Sequence, residues 1–187
     1  MNENIVNFID RLGFYTVEPS YLEHLHLQDR EVQYNPEYRT KVKPYLGIVV
    51  NCNDQMFLVP LSSPKEKFNS IRNNLYEYHK IFSKEQKLIG ILMIKKMIPV
   101  TFNLISKIQF EKENKYHHLL TEQLQIINKQ KSEITKKITT FYKNKLNNKF
   151  VYGSTNLILD LKILENYRKI EKSCDHYRMT VFIYWVF

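Results

Sequence analysis

Apolar residues along this 187-residue chain recur at helical spacing in some stretches and in strand-like runs in others, and the changes between the two set out most of its elements. Ile5, Val6, Phe8, Ile9 and Leu12 sit at helical spacing and predict a short docking helix before Gly13. Phe14-Tyr15-Thr16-Val17 then takes on strand character. From Pro19 to about Lys43 the chain is polar and rich in Tyr, which predicts a surface loop with one helical turn around Tyr21 to Leu27. Lys43 to Val50 and Met56 to Leu61 read as strands, and Asn51-Cys52-Asn53-Asp54 reads as the turn of a hairpin between them. Antiparallel pairing would bring Lys43 and Ser63 to the same end of the sheet.

Further along, Phe68 to Lys87 is polar and suits one helix, whereas Leu88 to Ile94 and Met97 to Leu104 form a second strand pair joined at Lys95-Lys96. Leu120, Leu124, Ile127, Ile134, Ile138 and Phe141 recur at spacings of three, four and seven, which predicts one long amphipathic helix broken only by Lys131, its apolar stripe packed on the sheet. Leu157 to Lys172 predicts a last helix with Leu159, Ile163, Leu164 and Tyr167 inward. Met179 to Phe187 is an apolar end, read as a terminal strand or a tail, too short to span a membrane. The expectation is an α+β fold forming a single domain over residues 1–187, with 1–12 as an N-terminal helical extension and 176–187 as an apolar C-terminal tail.

Charge adds to this picture a reason to look for an acidic partner. The formal net charge is +9, and from Lys107 to Lys149 ten lysines face four glutamates, so most of the excess lies along the predicted long helix. Lys115, Lys129, Lys136 and Lys137 are candidate RNA contacts there, with Lys67, Tyr21 and Tyr45 elsewhere. The tyrosines fit either core and rim packing or base stacking beside lysines. Two cysteines, Cys52 and Cys174, make no disulfide framework, and no secretory signal is visible, which together suit a reducing cytoplasm. The histidines lack zinc-ligand spacing, so no metal is assigned, and no glycine-rich phosphate loop implies a nucleotide cofactor.

The stretch with the most chemistry is Pro60-Leu61-Ser62-Ser63-Pro64-Lys65-Glu66-Lys67. An apolar strand runs into two hydroxyls, a proline that biases Ser63 toward an extended conformation, and two lysines. Fixed hydroxyls beside ammonium groups suit a phosphate, and an ordinary Ser/Pro turn with a solvated basic rim has the same composition. No G-x-S-x-G elbow surrounds Ser63, which argues against a serine hydrolase.

Several motifs taken together resemble a known family. Phe14-Tyr15-Thr16-Val17, Tyr21, Lys43-Pro44-Tyr45-Leu46-Gly47-Ile48-Val49 and Val59-Pro60-Leu61-Ser62-Ser63-Pro64-Lys65 are similar, in order and spacing, to the ToxN/AbiQ family of type III toxin-antitoxin endoribonucleases. Leu88 to Ile91, Met97 to Val100, and Tyr116, Leu119, Leu120, Gln123 and Ile127 extend the likeness, which covers roughly Phe14 to Tyr167. The resemblance implies a compact, highly twisted antiparallel sheet with flanking helices, similar to the MazF and Kid toxins. It implies metal-independent RNA cleavage leaving a 2′,3′-cyclic phosphate, with cellular and phage mRNA as substrates and a role in abortive phage infection. It further implies a repeated RNA pseudoknot antitoxin, cut from a precursor and held in a closed protein-RNA ring. Its site residues fall on Ser63, Ser62, Lys65 and Lys43, and on Tyr38 if one residue is inserted. Two readings from other classes stand beside it: a non-catalytic basic RNA-binding protein, and a membrane-surface protein using the apolar tail and basic helix.

Overall fold

The computed structural model describes residues 6–9, 12–37, 45–111 and 113–169. At its centre is a hairpin of β3 (Leu46–Cys52) and β4 (Gln55–Ser62). Asn53 and Asp54 both have positive φ, 47° and 62°, so the connection is a two-residue turn whose twist matches that of the strands. Cys52 pairs with Gln55 directly across it.

Each long strand of the hairpin is flanked by two short ones laid end to end. On one side, β1 (Val6–Phe8) pairs with the Val50–Cys52 end of β3, and β2 (Tyr15–Val17) pairs with Leu46 and Gly47. On the other, β7 (Ile98–Pro99) pairs with Phe57 and Leu58 of β4, and β6 (Leu88–Leu92) with Leu61 and Ser62. β5 (His79–Phe82) lies outside β6 and β8 (Ile105–Lys107) outside β2, which completes an eight-stranded antiparallel sheet.

Both faces of the hairpin are covered, which is why its strands read as continuous apolar runs. Leu46, Ile48, Val50, Phe57 and Val59 enter one core; Val49 and Leu58, between them in sequence, enter the other. The first core lies under α2 (Lys115–Lys129) and α3 (Lys131–Leu146), through Leu120, Ile127, Ile134, Ile138 and Phe141. The second lies under α1 (Pro19–Gln28) and α4 (residues 157–169), through Tyr21, Leu22, Leu25, Ile163 and Leu164.

Four expectations need correction. The predicted single long basic helix is two, because Gln130 leaves helical geometry at φ −101° and ψ 13°. The apolar stripe continues across the break and packs on the sheet as expected. Of the predicted N-terminal helix, Val6–Phe8 is a strand, since hydrogen bonding to β3 and Phe8 under the Lys131 ammonium outweigh a helical pattern this short. The region after Ser62 holds a 3-10 helix at Glu66–Phe68 and the strand β5 instead of one helix. Finally, β6 and β7 do not pair with each other. A 3-10 helix at Ile94–Lys96 separates them, so they act as one interrupted neighbour of β4. The apolar tail 176–187 lies outside the described residues.

Candidate active site

Pro60 sits opposite that interruption. Its carbonyl accepts from Met93 N–H at 2.8 Å, so the side on which it lacks an N–H is the side where no regular partner strand continues. Across the hairpin its partner is Gly47, where a Cβ would collide with the Val59 carbonyl. A proline and a glycine therefore allow β3 and β4 to run close together up to the point where β4 ends in Ser62.

Beyond this end lies a cleft of about 420 Å³. Ser62 and Lys65 come to it from the end of β4, His26 from the last turn of α1, Arg30 and Tyr34 from the segment after α1, and Lys96 from the Ile94–Lys96 helix. Pro60, Leu61, Leu46 and Tyr45 supply its apolar wall. Ser62 Oγ donates to the Ser63 carbonyl at 3.2 Å. Lys96 Nζ donates to the Glu31 carbonyl at 2.7 Å and its carboxylate at 2.6 Å, and this hydrogen bond holds the Glu31 carboxyl below the usual range. His26 Nδ1 donates to the Val32 carbonyl at 2.7 Å, and its ring stacks on Tyr34 with centroids 5.6 Å apart.

A second hollow adjoins the first and shares Lys96, Glu31 and Gln33 with it. Lys67, Lys95, Phe68, Tyr78 and Tyr152 line it. Lys95 lies 5.2 Å over the Tyr78 ring, and Tyr152 is 83% exposed. Cations beside accessible aromatic faces are what a single-stranded nucleic acid requires.

The residues expected from sequence fare unequally. Ser62 and Lys65 line the cleft, whereas Ser63, exposed one residue beyond β4, is not among the residues lining it. Tyr38 and Lys43 lie outside the described residues. Lys67 lines the adjoining hollow, and Tyr45 is largely buried at the cleft wall. Lys115, Lys129 and Lys136 are exposed on α2 and α3, away from the cleft. Tyr21 and Lys137 are not RNA contacts. Tyr21 is fully buried, donates to the Pro99 carbonyl at 2.9 Å, and has its phenol pushed well up by burial. Lys137 is buried and donates to the carbonyls of Asn73 at 2.7 Å and Tyr78 at 3.2 Å, with Glu133 3.2 Å away. His26, Arg30 and Lys96 were not anticipated, because no local motif joins them to the serines.

Known proteins are similar to this chain over most of its length. The family model described as toxin ToxN, type III toxin-antitoxin system, matches residues 13–169. Endoribonuclease ToxN of Bacillus thuringiensis subsp. kurstaki is 25% identical over 181 residues, covering 90% of this chain and 86% of the relative. A solved chain from a bacterial antiviral system regulated by a processed non-coding RNA superposes with a TM-score of 0.75 at 25% identity, covering 82% of this chain and 98% of that one. Another, from a type III system whose toxin is selectively inhibited by a non-coding RNA pseudoknot, is 22% identical with a TM-score of 0.69, covering 85% and 99%, and bears on the fold alone.

Proposed function

The chain belongs to the ToxN/AbiQ family of type III toxin-antitoxin endoribonucleases, and from that premise we propose that it cuts RNA at the Ser62–Lys65 corner without a metal ion, leaving 2′,3′-cyclic phosphate ends. The observation that carries this reading is the cleft itself: a strand-end hydroxyl and cations from three separate segments, Lys65, Arg30 and Lys96, face one space of about 420 Å³. In the reaction a ribose 2′-oxygen attacks the adjacent phosphorus in line with the departing 5′-oxygen, and negative charge grows on the phosphoryl oxygens. Lys65, with Lys43, neutralises that charge, while Ser62 and Ser63 donate hydrogen bonds that hold the phosphate in line. Ser63 acts as a positioning donor and forms no covalent bond to phosphorus.

The partner in this reading is a repeated RNA pseudoknot, which the protein processes from a precursor and binds in a closed protein-RNA ring. Support comes from the two RNA-regulated systems with the same fold. The basic aromatic hollow beside the cleft holds RNA near the cut, and the exposed lysines of α2 and α3 add a second cationic face. Cellular and phage mRNA are the targets, the setting is the cytoplasm during abortive infection, and residues 1–187 act as one catalytic domain of MazF/Kid-like build.

The deciding experiment incubates RNA with wild-type, Ser63→Ala and Lys43→Ala protein in EDTA and analyses the product ends. The reading expects cyclic phosphate from wild type, none from either variant, and RNA binding by all three. Binding without cutting by wild type would instead establish a non-catalytic RNA-binding protein, and full cutting by both variants would remove the site assignment.

A further inference from the structure

The proposed reaction needs a group to take the proton from the attacking 2′-hydroxyl, and the serine-lysine corner supplies none. Serine hydroxyls and the cations Arg30, Lys65 and Lys96 are donors around the cleft. The Glu31 carboxylate is engaged by Lys96 at 2.6 Å and held below the usual carboxylate range, which makes it a weak base. The two phenols, Tyr34 and Tyr45, must lose their own proton before they can take another, and Tyr45 is largely buried. Among the described residues, His26 is the remaining titratable side chain on the cleft.

Its ring is oriented for the task. A carbonyl oxygen only accepts, so the 2.7 Å contact from Nδ1 to Val32 requires the proton to be on Nδ1. In the neutral ring Nε2 then carries the lone pair. Stacking on Tyr34, at an interplanar angle of 30°, limits rotation of the imidazole. A fixed tautomer, a restrained ring and a place on the same cleft as Ser62 and Lys65 suit His26 to act as a general base on a substrate bound there.

We infer that His26 is the proton acceptor of the cleavage reaction, its Nε2 taking the 2′-hydroxyl proton as that oxygen attacks phosphorus. The inference rests on the endoribonuclease reading of the cleft. In the step the O2′–P bond forms and the P–O5′ bond breaks. The 2′ proton passes to Nε2, water protonates the departing 5′-oxygen, and the imidazolium returns its proton to the hydroxide so formed. Arg30, Lys65 and Lys96 line the same cleft from three other segments and stabilise phosphoryl charge without competing for the proton.

The test uses His26→Asn, whose side-chain amide can still donate to the Val32 carbonyl from the position of Nδ1 but presents no base at Nε2. Full-length wild type and variant are given total bacterial RNA in EDTA, and the initial rate of cyclic phosphate formation is followed against pH, with RNA affinity and thermal melting measured alongside. The variant is expected to bind RNA as wild type does and to cut roughly 10²-fold more slowly or worse. Its rate should lack the pH dependence that wild type shows.

A variant rate within about threefold of wild type, or a slower rate that keeps the wild-type inflection, overturns the role of His26 and leaves the endoribonuclease reading standing. Wild-type protein that forms no cyclic phosphate removes that reading and this inference together. A wild-type rate that does not vary with pH overturns the inference whatever the variant's stability, and His26→Gln provides the same comparison if the Asn variant melts early.

Discussion

Replacing Asp160 with asparagine should abolish most of the loss of folding stability between pH 6 and pH 9. Asp160 is completely buried on α4, and neither of its oxygens accepts a hydrogen bond. Beside it stands Asp29, whose own oxygens accept from Glu31 N–H at 2.9 Å and Asn156 N–H at 2.7 Å. Burial first, and the Asp29 charge and hydrogen bond second, push the Asp160 carboxyl from 3.8 up to about 8, with Lys145 offsetting only part of this. At neutral pH Asp160 is therefore protonated and its proton faces Asp29. A folded-state value above the unfolded one contributes stability that is complete below 3.8 and lost as pH rises through about 8. With those two values, the loss is about 1.4 kcal/mol for each pH unit between them, or about 2.7 kcal/mol from pH 6 to pH 9. Urea denaturation of wild type and Asp160→Asn at both pH values measures it, and the difference between the proteins cancels other titrating groups such as Cys52, whose thiol burial pushes up to about 12. Equal pH slopes for the two proteins would refute the shared proton.

Two further substitutions test the reassignment of residues from RNA contact to structure. Lys137→Met should destabilise the fold by about 2–3 kcal/mol, because the Asn73 and Tyr78 carbonyls lose their buried donor. Exposed Lys136→Ala should change stability by less than about 0.5 kcal/mol; comparable urea midpoints for the two variants would contradict the difference. Tyr21→Phe should cost about 1–2 kcal/mol through the lost hydrogen bond to Pro99 while leaving RNA affinity in a filter-binding titration unchanged. A selective fall in affinity with no change in melting would return Tyr21 to the RNA surface.

How much of this structure could be read from the sequence depends on how local each cause is. The β3–β4 hairpin was legible because its apolar runs and turn are contiguous, although its turn is two residues long and not four. The final helix was legible because Leu159, Ile163, Leu164 and Tyr167 keep helical period, and all four join the core under α4. The same periodicity misled for α2 and α3. Leu120, Ile127, Ile134 and Phe141 are spaced by seven across Gln130, so the stripe stays in phase while the backbone breaks. Helix α1 was read as one helical turn around Tyr21 to Leu27 within a loop, because its polar positions, including His24, His26 and Gln28, hide an inward face of Tyr21, Leu22 and Leu25; Pro19 in its first turn was the available start signal for the full helix. Strands β1 and β7 are three and two residues long and owe their form to pairing with distant segments, which no local pattern records.

The candidate site divides along the same line. Ser62, Ser63 and Lys65 share one contiguous stretch, so their proximity was visible in the chain. Lys96 reaches the cleft that Ser62 lines only because β6 and β7 are laid end to end along β4, with the Ile94–Lys96 helix filling the gap beside Pro60. Arg30 and His26 arrive because α1 packs its other face into the second core and leaves its C-terminal turn at the end of the hairpin. Each of these side chains is thus tied to an element buried elsewhere in the fold, and Ser62 itself is paired with Ile91. Ser62, on a paired strand, and Lys96, held by Glu31, are consequently set in place before any substrate arrives, which is the condition under which hydroxyls and cations stabilise a transition state more than they do in water. It also ties the cleft to the interruption: a continuous strand joining β6 to β7 would remove the Ile94–Lys96 helix that carries Lys96 to the cleft, and with it the anchor of Glu31 beside the proposed catalytic corner.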